Sequence, residues 1–171
     1  MEPARLMNNK TEALPASTLI EHLFFAYRDF TGDPDTILAQ FGFGRAHHRV
    51  LHFIDRKPGL TVAELLDLLK ITKQSLARVL KQLVDGGYVC QKPGPVDRRQ
   101  RELYLTESGQ TLIRDLREPQ SRRIVSALQQ TGCAEEDIAR FLFAMMTDES
   151  RQQISMLNAG GNGETEPGED R

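Results

Sequence analysis

Tryptophan is absent, and cysteine occurs only at Cys90 and Cys133, without the Cys-x-x-Cys spacing that a disulfide framework or a thiol-bound zinc would show. Aromatic residues make up only 6% of the 171 residues while leucine is abundant, a balance that suits a mostly helical fold. No apolar run approaches the roughly 18 residues that a bilayer span needs. The longest is Phe141-Leu-Phe-Ala-Met-Met146. Residues 1–15 lack the apolar centre of a secretory signal. The expectation is a soluble, cytoplasmic protein with no membrane partner. Catalytic signatures are missing too: there is no Gly-x-Ser-x-Gly, phosphate-binding loop, His-Glu-x-x-His or paired-carboxylate setting, which argues against an enzyme.

What the chain does have is an uneven charge. The net charge of −2 conceals a basic middle: residues 45–123 hold 16 basic and 9 acidic side chains, whereas residues 1–44 hold 3 and 6, and residues 124–171 hold 3 and 9. Within the middle, residues 70–101 carry 8 basic and 2 acidic side chains. A localised positive field of this kind is the expected footprint of a phosphate-binding surface.

The stretch Leu60–Tyr88 reads as two short amphipathic helices joined by a tight turn. Thr61 and Glu64 have capping-box spacing, and Leu65, Leu68 and Leu69 supply an apolar stripe. Thr72 is the expected N-cap of the second helix, which ends at Gly86-Gly87. That helix has two unlike faces. Leu76, Val79, Leu80 and Leu83 fall on one side; Lys73, Gln74, Ser75, Arg78 and Lys81 fall on the other. Taken alone, the polar side fits either a helix entering a DNA major groove or an ordinary solvated face. The following Tyr88–Lys92, the turn at Pro93-Gly-Pro95, the basic Asp97-Arg-Arg-Gln-Arg101 and the alternating Glu102–Leu105 read as a hairpin with a basic tip. Two helices followed by such a hairpin make a winged helix-turn-helix.

The run Ile71-Thr-Lys-Gln-Ser-Leu-Ala-Arg-Val-Leu80, with Asp97-Arg-Arg99 and Leu105-Thr-Glu-Ser-Gly109, resembles the MarR family of bacterial transcriptional regulators, and the likeness extends from about Thr18 to Leu157. It implies a mainly α fold with a small β-hairpin wing, N- and C-terminal dimerisation helices, and a homodimer on double-stranded DNA, usually as a repressor. A two-fold dimer would set two recognition helices about 34 Å apart and read a pseudo-palindrome. The likeness puts Gln74, Ser75 and Arg78 at the major-groove readers, with Thr72 and Lys73 as phosphate or base contacts near the helix start. Lys81 meets a phosphate or nothing. In the wing it implies that Asp97 braces the hairpin and Arg98 enters the minor groove. Arg99 clamps a phosphate or pairs with Asp97.

Outside this head, a helix is expected from Ser17 or Thr18 to Phe30, stopped by Thr31-Gly-Asp-Pro34, then a short turn to Phe41 and a helix over Phe43–Arg56. Beyond the wing, Thr106 caps a long helix to about Gln130 that Pro119 should kink or break, and a last helix runs from Ala134 to Leu157. The expected organisation is a flexible arm (1–15), N-terminal dimerisation helices (16–44), the winged helix-turn-helix (45–106), C-terminal dimerisation helices (107–157) and a disordered acidic tail (158–171). The outer helices have more apolar surface than one small domain can cover, which independently calls for a partner subunit.

The family commonly senses a small effector, often an anionic phenol or drug-like compound, in a cleft between the dimer helices and the winged domain. Phe24, Tyr27, Arg28, Phe41, Phe43, His47 and His52 are the expected lining, with core packing as the other reading of the aromatics. His48 and His52 lie four apart on one helical face, a spacing that binds zinc or haem iron when further ligands complete the site; packing at the domain junction is the competing reading. The Arg45–Phe53 stretch also resembles PetP-like members of the family, associated with bacterial electron-transport genes, with which a redox or haem signal would be compatible. No metal, haem or other cofactor is assigned on these residues. The thiol-sensing branch carries its cysteine in the first helix, which here has none; Cys90 on the first wing strand reads as a small buried strand residue, with reporting oxidation by disturbing the wing as the other reading. The alternative functions are a winged-helix module acting through a protein partner, by its acidic tail or last helix, or a metal- or haem-responsive regulator using the His47, His48 and His52 cluster.

Overall fold

The computed structural model describes residues 16–159. The expected arm and the tail from residue 160 lie outside them. The first helix, α1 (Ala16–Ala39), is longer than its sequence suggests, because Thr31-Gly-Asp-Pro34 does not end it. Proline lacks the N–H that would bond the carbonyl one turn back. Here that carbonyl, Phe30 O, accepts Gln120 Nε2 at 3.3 Å, and the Pro34 ring is fully buried. Packing against the later helix that carries Gln120 thus offsets the interruption, so Asp35–Ala39 continue α1 and the turn comes only at residues 40–42.

Helix α2 (Arg45–Arg56) follows, with Val50, Leu51 and Ile54 inward. Strand β1 (Leu60–Thr61), α3 (Val62–Leu69) and α4 (Lys73–Asp85) come next, then β2 (Val89–Pro93) and β3 (Arg101–Leu105). The capping box forms as its spacing predicts: Thr61 Oγ1 accepts Glu64 N–H, and Glu64 Oε2 accepts Thr61 N–H at 2.8 Å. Thr72 Oγ1 caps α4 by accepting Ser75 N–H at 3.1 Å. The hairpin expected from sequence is a three-stranded antiparallel sheet in the order β1-β3-β2, since Leu60 and Thr61 pair with Leu103 and Glu102. A two-residue strand whose second residue, Thr61, is also the cap of α3 carries no strand periodicity, so β1 escapes pattern reading.

The wing joins α5 (Glu107–Thr131) through the Thr106–Gly109 motif. Thr106 Oγ1 donates to Gly87 O at 2.6 Å and accepts Gly109 N–H at 3.1 Å, while Thr106 N–H bonds Tyr88 O. Gly109 has no room for a side chain, because a Cβ would collide with the Tyr88 carbonyl oxygen. Pro119 neither breaks nor splits α5, which packs along α1 and α2 and continues to a left-handed Gly132. The expected last helix divides into α6 (Glu135–Met145) and α7 (Asp148–Ala159). Met146 is extended, and Thr147 Oγ1 accepts Ser150 N–H at 3.3 Å. Thr147-Asp-Glu149 is a cap followed by two acids, a helix-start signal inside a continuous apolar stripe.

One core joins these elements. Leu38, Val50, Leu51, Ile54, Leu65, Leu76, Leu83, Leu103, Ile113 and Leu116 are buried in it, so the helix-turn-helix, the base of the wing and the first half of α5 rest on each other. No helix of the described residues is long and apolar enough to cross a membrane.

Candidate nucleic-acid interface and effector cleft

Helix α4 is fixed by its inward side and free on the other. Leu76, Val79, Leu80 and Leu83 are buried, while Thr72, Lys73, Gln74, Ser75, Arg78 and Lys81 are exposed. The Thr72 and Ser75 hydroxyls are bonded to each other at 2.9 Å, which sets the start of the helix. Lys81 is held in an ion pair with Asp85 at 2.6 Å. Among the described residues no carboxylate pairs with Lys73, Arg78, Arg98 or Arg99. Within the described residues their charge is therefore not neutralised, as a phosphate-facing surface requires.

The wing tip is built by short backbone links. Asp97 Oδ1 accepts Arg99 N–H at 2.9 Å, Gln100 N–H bonds Asp97 O, and Gly94 N–H bonds Gln100 O. Gly94 is buried beneath this turn, where a Cβ would crowd Asp97 O at 2.8 Å. Asp97 thus reaches the Arg99 backbone rather than its guanidinium, and Arg98 and Arg99 project into solvent. Three exposed residues here were not singled out from sequence: Val96, Arg101 at the start of β3, and Lys92, whose ammonium lies 4.7 Å from the Tyr104 ring centre. Strand register, Pro93 opposite Arg101 and Lys92 opposite Glu102, is what reveals the last two.

A cavity of about 310 Å³ opens between α1, α2 and α5, lined by Tyr27, Phe30, Asp35, Arg45, His48, Arg49, His52, Phe53 and Gln120 among others. Of the seven residues expected in such a cleft, Tyr27 and His52 line it. Phe24 is 71% exposed on α1, and Arg28 pairs with Asp29 and lies over Phe25. Phe41, Phe43 and His47 belong to a separate cluster with Tyr88: Phe43 stacks on His47 at 4.6 Å and meets Tyr88 edge-on at 5.4 Å. Sequence proximity merged two groups that the fold separates: Tyr27 and His52 line the cleft, whereas Phe41, Phe43 and His47 pack with Tyr88.

His47 is committed to structure. Its Nδ1 accepts Gly44 N–H at 3.1 Å, which leaves the proton on Nε2 to donate to Gln82 Oε1 at 2.9 Å. His48 and His52 face the cleft, and both have their pKa pushed below the ordinary 6.5. Burial is the main cause for each, reinforced by mutual repulsion at His48 and by Arg117 at His52. No group of three or more His, Cys, Asp or Glu side chains placed to hold a metal occurs among the described residues. Cys90 is half-buried on β2, and Cys133 is exposed.

A helix-turn-helix with a free basic face, backed by a three-stranded sheet whose basic tip stands beside it, is a winged helix-turn-helix DNA-binding domain. Residues 41–100 match the model of the MarR family. Over 139 residues the chain is 50% identical to the HTH-type transcriptional regulator PetP of Rhodobacter capsulatus, covering 81% of this chain and 84% of PetP. The chain belongs to the MarR family, a family of DNA-binding transcriptional regulators rather than enzymes. Solved structures share its fold at low identity. A MepR mutant from a multidrug-resistant S. aureus clinical isolate superposes with a TM-score of 0.61 at 17% identity, covering 86% of this chain and 98% of MepR. A second S. aureus MepR mutant, bound to an oligodeoxyribonucleotide, gives 0.50 at 18% identity over 85% and 94%.

Proposed function

We propose that the chain acts as a cytoplasmic homodimeric repressor that reads a pseudo-palindromic operator and is controlled by a small effector. The reading rests on the basic face of α4 beside the basic wing tip, where Lys73, Arg78, Arg98 and Arg99 have no carboxylate partner among the described residues, both set on one buried core. Gln74, Ser75 and Arg78 read base edges, Thr72 and Lys73 contact bases or phosphates at the helix start, and Arg98 enters the minor groove while Asp97 holds the tip. Arg99, Arg101 and Lys92 track phosphates, and Lys81, already paired with Asp85, contributes least. This assigns DNA reading to residues 45–106 and pairing to residues 16–44 and 107–157.

Support for pairing comes from the outer helices. Leu19, Ile20, Leu23, Phe24 and Phe25 on α1 and Ile138, Phe141, Leu142 and Met145 on α6 are all exposed. So much apolar surface on these outer helices is what a second copy would cover. The effector reading rests on the cleft between α1, α2 and α5, where aromatic rings and arginines suit a small aromatic anion. Such a ligand acts only by binding the DNA-incompetent arrangement more tightly. Footprinting on the chain's own upstream DNA, with light scattering for mass, tests the proposal: two protected half-sites about one helical turn apart and a mass twice 19.3 kDa are expected. A monomer, or protection without two-fold symmetry, would overturn it.

A further inference from the structure

Arg49 belongs to two places at once. Arg49 is among the residues lining the cleft, and its Nη2 donates to Leu69 O at 3.2 Å, the last carbonyl of α3. That carbonyl sits at the negative end of a helix, where a guanidinium supplies a missing partner and a favourable charge. The next residue, Lys70, is the one described non-glycine residue with positive φ, at +51°. It begins the turn that sets α4 against α3, and it is held from the other side by Asp67 at 2.7 Å and by Glu149 of α7 at 2.6 Å. The left-handed conformation at Lys70 is one that non-glycine residues adopt infrequently.

The cleft's cations are not equally available. Arg45 is paired with Asp35 at 2.8 Å, and the nearby Arg117 is paired with Asp55. Among the described residues Arg49 has no carboxylate partner, only the neutral Leu69 carbonyl. An anion entering the cleft offers Arg49 a charge–charge contact, stronger than the charge–dipole bond it would leave.

We propose that Arg49 is the positioning residue that links occupancy of the cleft to the DNA-reading head: an anionic ligand draws its guanidinium from Leu69 O, freeing the end of α3 and the turn that orients α4. The inference rests on the cleft being the effector site. Benzoate is the probe, with calorimetry for its binding to the full chain and fluorescence anisotropy for upstream-DNA affinity with and without it. Benzoate should bind the wild type and weaken DNA binding about tenfold, a typical coupling between two sites. In Arg49→Gln the ratio of the two DNA affinities should fall to about one, and in Arg49→Lys, which keeps the charge, part of the response should return. A merely structural role would lower both affinities together and leave the ratio at its wild-type value, overturning the proposal, as would loss of response in both variants. Benzoate binding with no effect on wild-type DNA binding would overturn the link and leave the cleft reading standing. Absence of benzoate binding to the wild type would overturn both.

Discussion

Arg98 and the two cleft histidines illustrate opposite uses of charge. Arg98 stands at the wing tip with no carboxylate partner among the described residues, so its charge is available to a narrow, electronegative groove. Arg98→Ala should weaken DNA binding by about tenfold or more, measured by anisotropy at moderate salt; unchanged affinity would remove it from the interface. His48 and His52 are instead kept neutral by burial. Because their folded pKa values lie below 6.5, the unfolded chain binds more protons between the folded value and 6.5. Their neutral packing is therefore fully favourable above that range, and stability is lost as pH falls through it. Urea unfolding at pH values on either side should show this decline, and the double variant His48→Gln, His52→Gln should flatten it. An equally steep decline in that variant would place the acid sensitivity elsewhere.

The junction between wing and α5 shows why a short motif can be exacting. Thr106 ties Gly87 to the start of α5, and Gly109 admits the Tyr88 carbonyl where any side chain would collide. Gly109→Ala should destabilise the fold by about 1–3 kcal/mol, the usual result of forcing atoms into a filled site, seen as a lower midpoint in thermal or urea unfolding. A wild-type midpoint would mean that the junction relaxes freely. Local signals of this kind were legible in the sequence: the Thr61–Glu64 box and the Thr72 and Thr106 caps form where spacing places them. Prolines were misread at Pro34 because its consequence depends on Gln120, 86 positions later, whose side chain supplies the lost hydrogen bond. The split at Met146 was missed for the converse reason: a cap signal at Thr147 was overruled by an apolar stripe that continues across it. The cleft was only partly legible, since its lining comes from three helices and depends on the rotation of each, which places Tyr27 and His52 inside it and Phe43 and His47 beyond it.

The molecule has two surfaces of contrasting character. One is basic, formed by α4 and the wing; the other is apolar, formed by the outer parts of α1 and α6. On the proposed account they serve DNA and a second copy of the chain. Replacing Phe141 and Leu142 together by Glu should therefore give a monomer by light scattering that has lost tight binding to a two-fold site, because one recognition helix per complex forfeits the second half-site. A variant that remains dimeric would move the pairing surface away from α6. Whether the basic surface reads a specific DNA site is decided by fluorescence anisotropy of the purified chain on its own upstream DNA across a salt series, beside a scrambled duplex of equal composition. Nanomolar affinity for the upstream site, much weaker binding to the scrambled duplex, and a logarithmic salt slope of about −0.9 for each phosphate neutralised are expected. Weak binding that is equal on both duplexes would contradict specific reading and favour a module that works through a protein partner.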